Sequence, residues 1–530
     1  MRENNAAAQS EAVPALCEEK ESHAYFRLPP NQTLLRKNWF GILVIALVLL
    51  YGAILINYTT FAVRGPDSTG YANLAYSLQH GPIAQPVPLI KEFDLPPDYA
   101  PAFLLRTYLL LPDATRMAPF YPVGLPLHMM LFSLVFGWQS GLYLVSPVFA
   151  ALSVFLFYLL GKEIGLTRKY ASAATILFAF CPTLIYQSLQ VASDVPATFW
   201  TLATILAAFR SQKNEHWSLL AGAAFGLAFL IRPTSVLLLL PLAFCLRLNW
   251  RSLFFFGLGG SPWALFFFIY NYTVFGHPFQ TGYGLLGLEQ ELVVTGVQKR
   301  FAHYIYWLSR SMSPLLFCAW LATPLLRQLT WWRRLFILTW FGTFFVFYCG
   351  YSWYDAWWYT RFLLPAIPAL ILALTFTCRS IIEWLTKKIE APFVRSQLVV
   401  GSIIIMVICV LGFEQQFIQR FKVFDIGRQD VLDRVACRRA KQLLPERALV
   451  FAMEMNGTWR FYTDRNTVRW DLAPTEKLQE IMHRATAQGL PLYAFLMTHE
   501  INDARNNIQN EWTKLDEFGS FSLWRIEMPH

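Results

Sequence analysis

Long apolar runs with few charges recur along most of the chain, near 39–57, 141–161, 170–190, 195–209, 217–231, 233–248, 252–270, 308–326, 335–350, 362–378 and 397–413. A backbone surrounded by lipid must satisfy its own hydrogen bonds, and a helix of about 20 apolar residues does so while crossing the hydrocarbon layer. The pattern therefore predicts a polytopic all-α membrane domain of about 11 transmembrane helices over 39–414, behind a polar tail of residues 1–38. From about 415 the pattern changes. Residues 428–444 have a helical spacing with many Arg and Lys, ALVFAM (448–453) and LYAFLM (492–497) have the continuous apolar character of buried strands, and Pro474 opens a helix reaching about 488. Further strands near 511–517 and 521–527 complete a small C-terminal α/β domain, residues 415–530.

The polar residues between the runs orient the map. Arg36 and Lys37, then Lys162, Arg168 and Lys169, then Arg210 and Lys213, Arg247 and Arg251, Arg327, Arg333 and Arg334, and Arg379, Lys387, Lys388 and Arg395 fall at alternate loops. Basic loops stay in the cytoplasm, so the N-terminus is expected inside and the C-terminal domain outside. Residues 120–137, FYPVGLPLHMMLFSLVFG, are apolar enough to span, but counting them would put every later basic cluster outside. They are expected to lie in the outer interface, with a start bent by Pro122, Gly124 and Pro126. His128 within them reads as structural. Two outer connections, 58–140 and 271–307, are long, and long loops in compact proteins usually carry function.

Composition agrees: 55% of the 530 residues are hydrophobic, only 15% are charged, and the mean hydropathy is +0.37. The net charge of +10 would suggest nucleic acid in a soluble protein; here it is spent on loop orientation, and no nucleic-acid partner is expected. The apolar run after residue 38 lacks a signal-peptide cleavage site. Most of the eight cysteines, Cys181, Cys245, Cys349 and Cys409 among them, fall in apolar runs, and Cys437 gives no disulfide framework.

Charges at membrane depth default to function, and several stand on the predicted outer side. Asp67 follows the first span, with Tyr71 and Ala75 on the same helical face at i+4 and i+8. Asp194 lies between two spans, just before Pro196. Each could also be a helix N-cap. Arg232 interrupts AFLIRPTSVLLLL against the positive-inside trend, where it could snorkel or hold an anion. Arg361 closes YSWYDAWWYTRFLLPAIP, with Asp355 six residues earlier; beside Trp357, Trp358 and Tyr359 it suits a lipid phosphate, or Asp355 as an ion-pair partner.

In this order and at these topological positions the pieces resemble the GT-C superfamily of membrane glycosyltransferases, nearest the protein O-mannosyltransferases and the lipid A aminoarabinose transferases. The resemblance covers about residues 39–380 and, more weakly, the C-terminal domain. It rests on Asp67, Tyr71 and Ala75 after the first span; on Tyr121, Pro122, Gly124 and Pro126 in a Tyr-Pro-x-Gly-x-Pro segment; on Asp194 after the third span; on Arg232 between the fifth and sixth; on FGHPFQTGY (275–283); and on Arg361, Leu363, Pro365 and Pro368 at the start of a late span. Many relatives have Asp-Glu where this chain has Asp67-Ser68.

The resemblance implies an inverting transfer of sugar from a polyprenyl-phosphate carrier to an acceptor hydroxyl or phosphate on lipid, glycan or protein at the outer face of the membrane; with no ER retention signal in the sequence, a bacterial inner membrane is expected. The resemblance implies Asp67 as general base and Arg361 and Arg232, with Arg116 behind them, as cations for the leaving phosphate. Asp194 would orient Arg232 or the sugar; Tyr71, Tyr121 and Asp355 would contact substrate. No cofactor is expected and no metal cluster is visible, although Asp194 and Asp355 leave a divalent ion open. Two other classes fit less well: a lipid-linked polymerase or ligase, and a secondary transporter, for which the chain shows no internal repeat.

Overall fold

The long apolar runs before residue 420 are largely helical, as burial of the peptide groups in lipid requires. The computed structural model describes residues 30–287, 295–351 and 355–528. The tail residues 1–29 and part of the expected loop 271–307 lie outside them. The chain divides into two compact units, 1–46 and 47–530. Of the first, the described part is the start of α1 (Pro30–Tyr58).

Helix α2 (Gly65–His80) opens the long connection that follows α1. Strands β1 (Gln85–Pro86), β2 (Tyr108–Leu110) and β3 (Arg116–Pro119) then form a small antiparallel sheet in the order β1-β3-β2. The membrane region continues with α3 (Gly124–Phe136), α4 (Trp138–Ile164), α5 (Arg168–Ala179), α6 (Pro182–Ser188), α7 (Asp194–Arg210) and α8 (Trp217–Ile231). After a 3-10 segment come α9 (Leu239–Cys245), α10 (Trp250–Phe275), the single turn α11 (Gly282–Leu285), α12 (Val297–Ser311) and α13 (Leu315–Leu321). The last membrane helices are α14 (Trp331–Cys349), α15 (Ile367–Leu385), which prolongs a 3-10 segment from Trp357, and α16 (Pro392–Arg420).

By length and composition, five helical stretches among the described residues suffice to cross a membrane: Gly41–Tyr58, α4, α10, Trp357–Leu385 and α16. A sixth is added if α5 and α6, bent by 56°, make one span. The expected number, about 11, is not reached on this measure because several apolar runs are interrupted. Pro182 opens α6 after the bend, Pro233 turns the chain into 3-10 helix, and the expected span 308–326 is broken between α12 and α13 around Pro314. A proline ring removes a donor and disfavours helix at the residue before it. Helix α3 has 13 residues, about 20 Å of rise against a hydrocarbon layer of about 30 Å, so it cannot span alone. Gly137 (φ 79°) separates it from α4.

Beyond the membrane helices stand α17 (Ile426–Leu443), β4 (Leu449–Phe451), α18 (Asn456–Thr463), β5 (Thr467–Val468), α19 (Thr475–Ala487), β6 (Leu492–Met497), α20 (Ile501–Asn507), β7 (Glu511–Phe518) and β8 (Phe521–Glu527). The five strands order β5-β4-β6-β8-β7. β4 pairs in parallel with β5 and β6, helices carrying the crossovers, while β6, β8 and β7 are antiparallel. β5, two residues long, has no counterpart in the sequence reading.

The long connection between α1 and α3 is the other half of this sheet's core. Phe93, Phe103 and Leu105 are buried in one cluster with Phe451, Ile481 and Leu492. Polar contacts fix the join. Arg484 donates to the carbonyls of Phe93 (2.9 Å) and Asp94 (2.6 Å), the Arg106 amide donates to Asn456 (2.8 Å), and Arg106 pairs with Glu454.

Candidate active site

Five separate parts of the chain deliver the expected charged and phenolic side chains to one cavity of about 370 Å³. Asp67 and Tyr71 come from α2, Tyr121 from the segment before α3, Asp194 and Arg232 from the ends of α7 and α8, and Arg361 from the 3-10 segment before α15.

Local sequence explains each placement. Arg232 precedes Pro233, which forbids it helical geometry. It is extended (φ −141°, ψ 109°), ends α8 and turns its guanidinium onto Asp194. Asp194 is the first residue of α7 rather than its N-cap, which is Ser193, and Asp67 lies in the first turn of α2, whose N-cap position is Arg64. The N-cap alternative is thus overturned for both, and both carboxylates are spent on arginines. Two glycines permit the close approach around Tyr121. A Cβ at Gly124 would run into the backbone of Leu230 and Ile231, and one at Gly70 would strike the Tyr121 ring.

Two ion pairs result. Asp194, with only 2% of its side chain exposed, is paired with Arg232. Asp67 accepts from Arg361 Nη2 at 2.9 Å and from the Tyr121 hydroxyl at 2.6 Å, yet 44% of its side-chain surface remains open, toward the cavity it lines. Both guanidiniums face the Phe362 ring, at 5.4 Å for Arg232 and 5.3 Å for Arg361, so the two cations flank one aromatic wall. The Arg361 Nε–H has no hydrogen-bond partner among the described residues.

The electrostatics follow from these contacts. Burial pushes the Asp67 carboxyl up, but the Arg361 charge and the bonds from Tyr121 and Arg361 outweigh it and hold the group below the usual carboxylate range. Burial and the Asp67 charge push the Tyr71 phenol up to about 12, and Tyr121 well above the ordinary tyrosine value. Both phenols are therefore hydrogen-bond donors at neutral pH. Tyr71 donates to Ser193 (3.2 Å), and its ring lies 4.5 Å from that of Tyr121. The cavity thus holds two carboxylates, each paired with a guanidinium, beside protonated phenols: groups that can hold an anion and hydroxyls.

Solved structures share this architecture. The ArnT of Cupriavidus metallidurans, in a crystal structure bound to undecaprenyl phosphate, superposes with a TM-score of 0.57 at 13% identity, over 92% of this chain and 98% of that one. The oligosaccharyltransferase of Archaeoglobus fulgidus, tethered to an acceptor peptide with an NVT sequon, matches with a TM-score of 0.54 at 13% identity, over 92% of this chain and 74% of that one. The same organism's AglB, in complex with an inhibitory peptide and a dolichol-phosphate, matches with a TM-score of 0.51 at 12% identity, over the same shares of the two chains. The family model described as dolichyl-phosphate-mannose-protein mannosyltransferase matches residues 119–269. No curated protein matches the chain in sequence.

The chain has the GT-C fold.

Against this GT-C frame, six expected site residues converge and two do not. Arg116 sits on β3, half-exposed and bonded to Asp113 three residues earlier (2.5 Å), and does not line the cavity. Asp355 is 78% exposed and pairs with His303 (3.0 Å); it lines no part of the cavity, nor is it the partner of Arg361, which is Asp67. His128 uses both ring nitrogens. Nδ1 lies 2.7 Å from the Gly124 carbonyl and Nε2 accepts from Trp200 at 3.0 Å, a structural tie between α3 and α7. Among the described residues no three His, Cys, Asp or Glu side chains converge to hold a metal ion.

The cavity also contains residues that the sequence did not single out: Ser193, Thr234, Tyr283, Tyr348 and Phe362. Tyr348 stacks on Phe362 (5.0 Å between centroids, 7° between planes) and donates to the Thr234 hydroxyl (2.9 Å). Tyr283 ends the FGHPFQTGY motif and Phe362 follows Arg361, so both had a signal in sequence. Tyr348 had none, being one aromatic among many on α14.

Proposed function

We propose that this protein is a lipid-linked glycosyltransferase that moves a sugar from a polyprenyl-phosphate carrier to an acceptor hydroxyl at the outer face of a bacterial inner membrane. The observation that carries the reading is the shared cavity: an ionised Asp67 held by Arg361, with Arg232 across the same Phe362 wall. The topology that puts this cavity outside rests on the basic loops, with the N-terminus cytoplasmic and the C-terminal domain on the far side.

The chemistry follows from the groups present. In a single inverting displacement the acceptor oxygen attacks the anomeric carbon as the bond to the carrier phosphate breaks. Asp67 takes the acceptor proton. Arg361 and Arg232 receive the phosphate, whose negative charge grows as it leaves; guanidiniums suit this because they stay charged and bind two oxygens at once. Without donor, Arg361 is held by Asp67. An arriving phosphate competes for that guanidinium and weakens the charge that depresses the carboxyl, so Asp67 becomes a stronger base when donor is bound. Asp194 fixes Arg232. Tyr71 and Tyr121 donate to sugar or acceptor oxygens. No cofactor enters this scheme.

The reading is tested by carrier binding. Undecaprenyl phosphate should raise the melting temperature of the wild-type protein in nanodiscs, and Arg361→Ala should weaken its apparent affinity at least tenfold. Equal affinity in the two proteins would remove the phosphate-binding role.

A further inference from the structure

A second cavity, of about 260 Å³, lies against the other side of α2 and shares no lining residue with the first. At 100° per residue, Tyr76 points about half a turn away from Asp67 and about 13 Å further along the helix axis. The walls come from distant parts of the chain: Tyr76 from α2, Gln85 from β1, Trp138 from the start of α4, and Arg460 and Asp464 at the end of α18.

The lining combines open aromatic faces with paired polar groups. Tyr76 is 43% exposed although it sits inside a walled cavity. Its ring stacks on His80 (4.4 Å, 25°) and stands edge-on to Trp138 (5.4 Å), which fixes its orientation. Arg460 is neutralised by Asp464 (3.3 Å) and also donates to Asn466 (3.2 Å). Arg460 and Asp464 are thus a matched pair, and the lining carries no net charge. Gln85 donates to Ser77 through its nitrogen (2.8 Å). A rigid ring face beside amide, guanidinium and carboxylate groups is what a neutral pyranose needs. Its C–H face lies on the ring while vicinal hydroxyls meet planar groups that donate or accept in pairs.

We propose that this second cavity binds a neutral saccharide unit, the non-reacting part of a glycan acceptor. The identification of the bound sugar as part of the acceptor rests on the transferase reading above; the saccharide site itself does not. Binding energy gathered away from the reacting hydroxyl would help to hold the acceptor in place.

The test is ligand-observed saturation-transfer NMR on the full chain in lipid nanodiscs, with maltose, mannobiose, galactobiose and chitobiose as probes. At least one disaccharide should show transfer. Tyr76→Ala should weaken its affinity at least tenfold, Tyr76→Phe should retain it because the ring remains, and Arg361→Ala should leave it unchanged. The proposal is overturned if none of the four gives transfer. It is also overturned if Tyr76→Ala binds as the wild type does, which would leave Tyr76 and Trp138 as interfacial anchors, or if Arg361→Ala abolishes the signal, which would move it to the first cavity. Undecaprenyl phosphate binding by the same variants is a separate readout, so failure here leaves the transferase reading intact, and the reverse.

Discussion

Asp194 and Arg232 form the more deeply buried of the two ion pairs in the cavity, and their burial decides what their loss would do. Removing one partner of a buried pair strands the other charge and costs about 3–5 kcal/mol, so Asp194→Ala should lower the melting temperature markedly. The double variant Asp194→Ala, Arg232→Met should recover part of that stability while remaining inactive, as a double-mutant cycle by thermal unfolding and turnover would record. Asp67 is the opposite case, partly open and held below its ordinary pKa by Arg361 and by the Tyr121 hydroxyl. Taking away the hydroxyl removes a bond that favours the carboxylate, so Tyr121→Phe should move the acid limb of the kcat/KM profile to higher pH. A limb that stayed in place would mean that another group sets it. These residues were legible in sequence because a charge beside an apolar run has few excuses. What the sequence lacked was partnership: Arg361 has a carboxylate six positions away in Asp355, yet folds onto one 294 positions away.

At the scale of elements, the site depends on how closely the segment before α3 approaches the end of α8. Gly124 allows that contact, since a Cβ there would meet the backbone of Leu230 and Ile231 immediately before Arg232. Backbone cannot yield as a flexible side chain can. Gly124→Ala should therefore displace Tyr121 or Arg232 and cut turnover by at least tenfold, while Gly41→Ala, which meets nothing within 4 Å, should leave turnover unchanged. The prolines that place the site are also those that confound span counting. Pro233 positions Arg232 and at the same stroke divides an apolar run into 3-10 helix and the short α9. Hydropathy reports burial, not helix continuity, so the runs were readable and their breaks were not.

For the whole molecule, the long connection between α1 and α3 and the C-terminal sheet share one core, and neither can be removed alone. A chain ended at Arg420 would leave Phe93 and Phe103 without their packing partners, and should fail to accumulate in the membrane. The strands of that sheet were visible as short apolar runs, but their partnership with residues 87–117 was not, because nothing local marks a contact across more than 300 positions. The C-terminal part also carries a pH response. Asp433 is buried on α17 and pairs with Arg64 at 3.7 Å, while its Oδ1 has no hydrogen-bond partner among the described residues; burial, only partly offset by Arg64, pushes its carboxyl up to about 6. A raised carboxyl favours the folded state while protonated, so its contribution is full below about pH 4 and is lost as pH rises through about 6. Asp433→Asn should accordingly stabilise the protein at pH 8, by up to about 3 kcal/mol, and change little at pH 4, as melting temperatures across that range would show.

The central claim is that the Asp67 cavity consumes a lipid-linked sugar. The most direct measurement supplies radiolabelled polyprenyl-phosphate sugars and crude membrane acceptors to liposomes containing wild type or Asp67→Asn. The account predicts loss of label from the carrier in the wild type, and a rate at least about 100-fold lower in an Asp67→Asn protein of unchanged fold. Turnover by Asp67→Asn at the wild-type rate would contradict it.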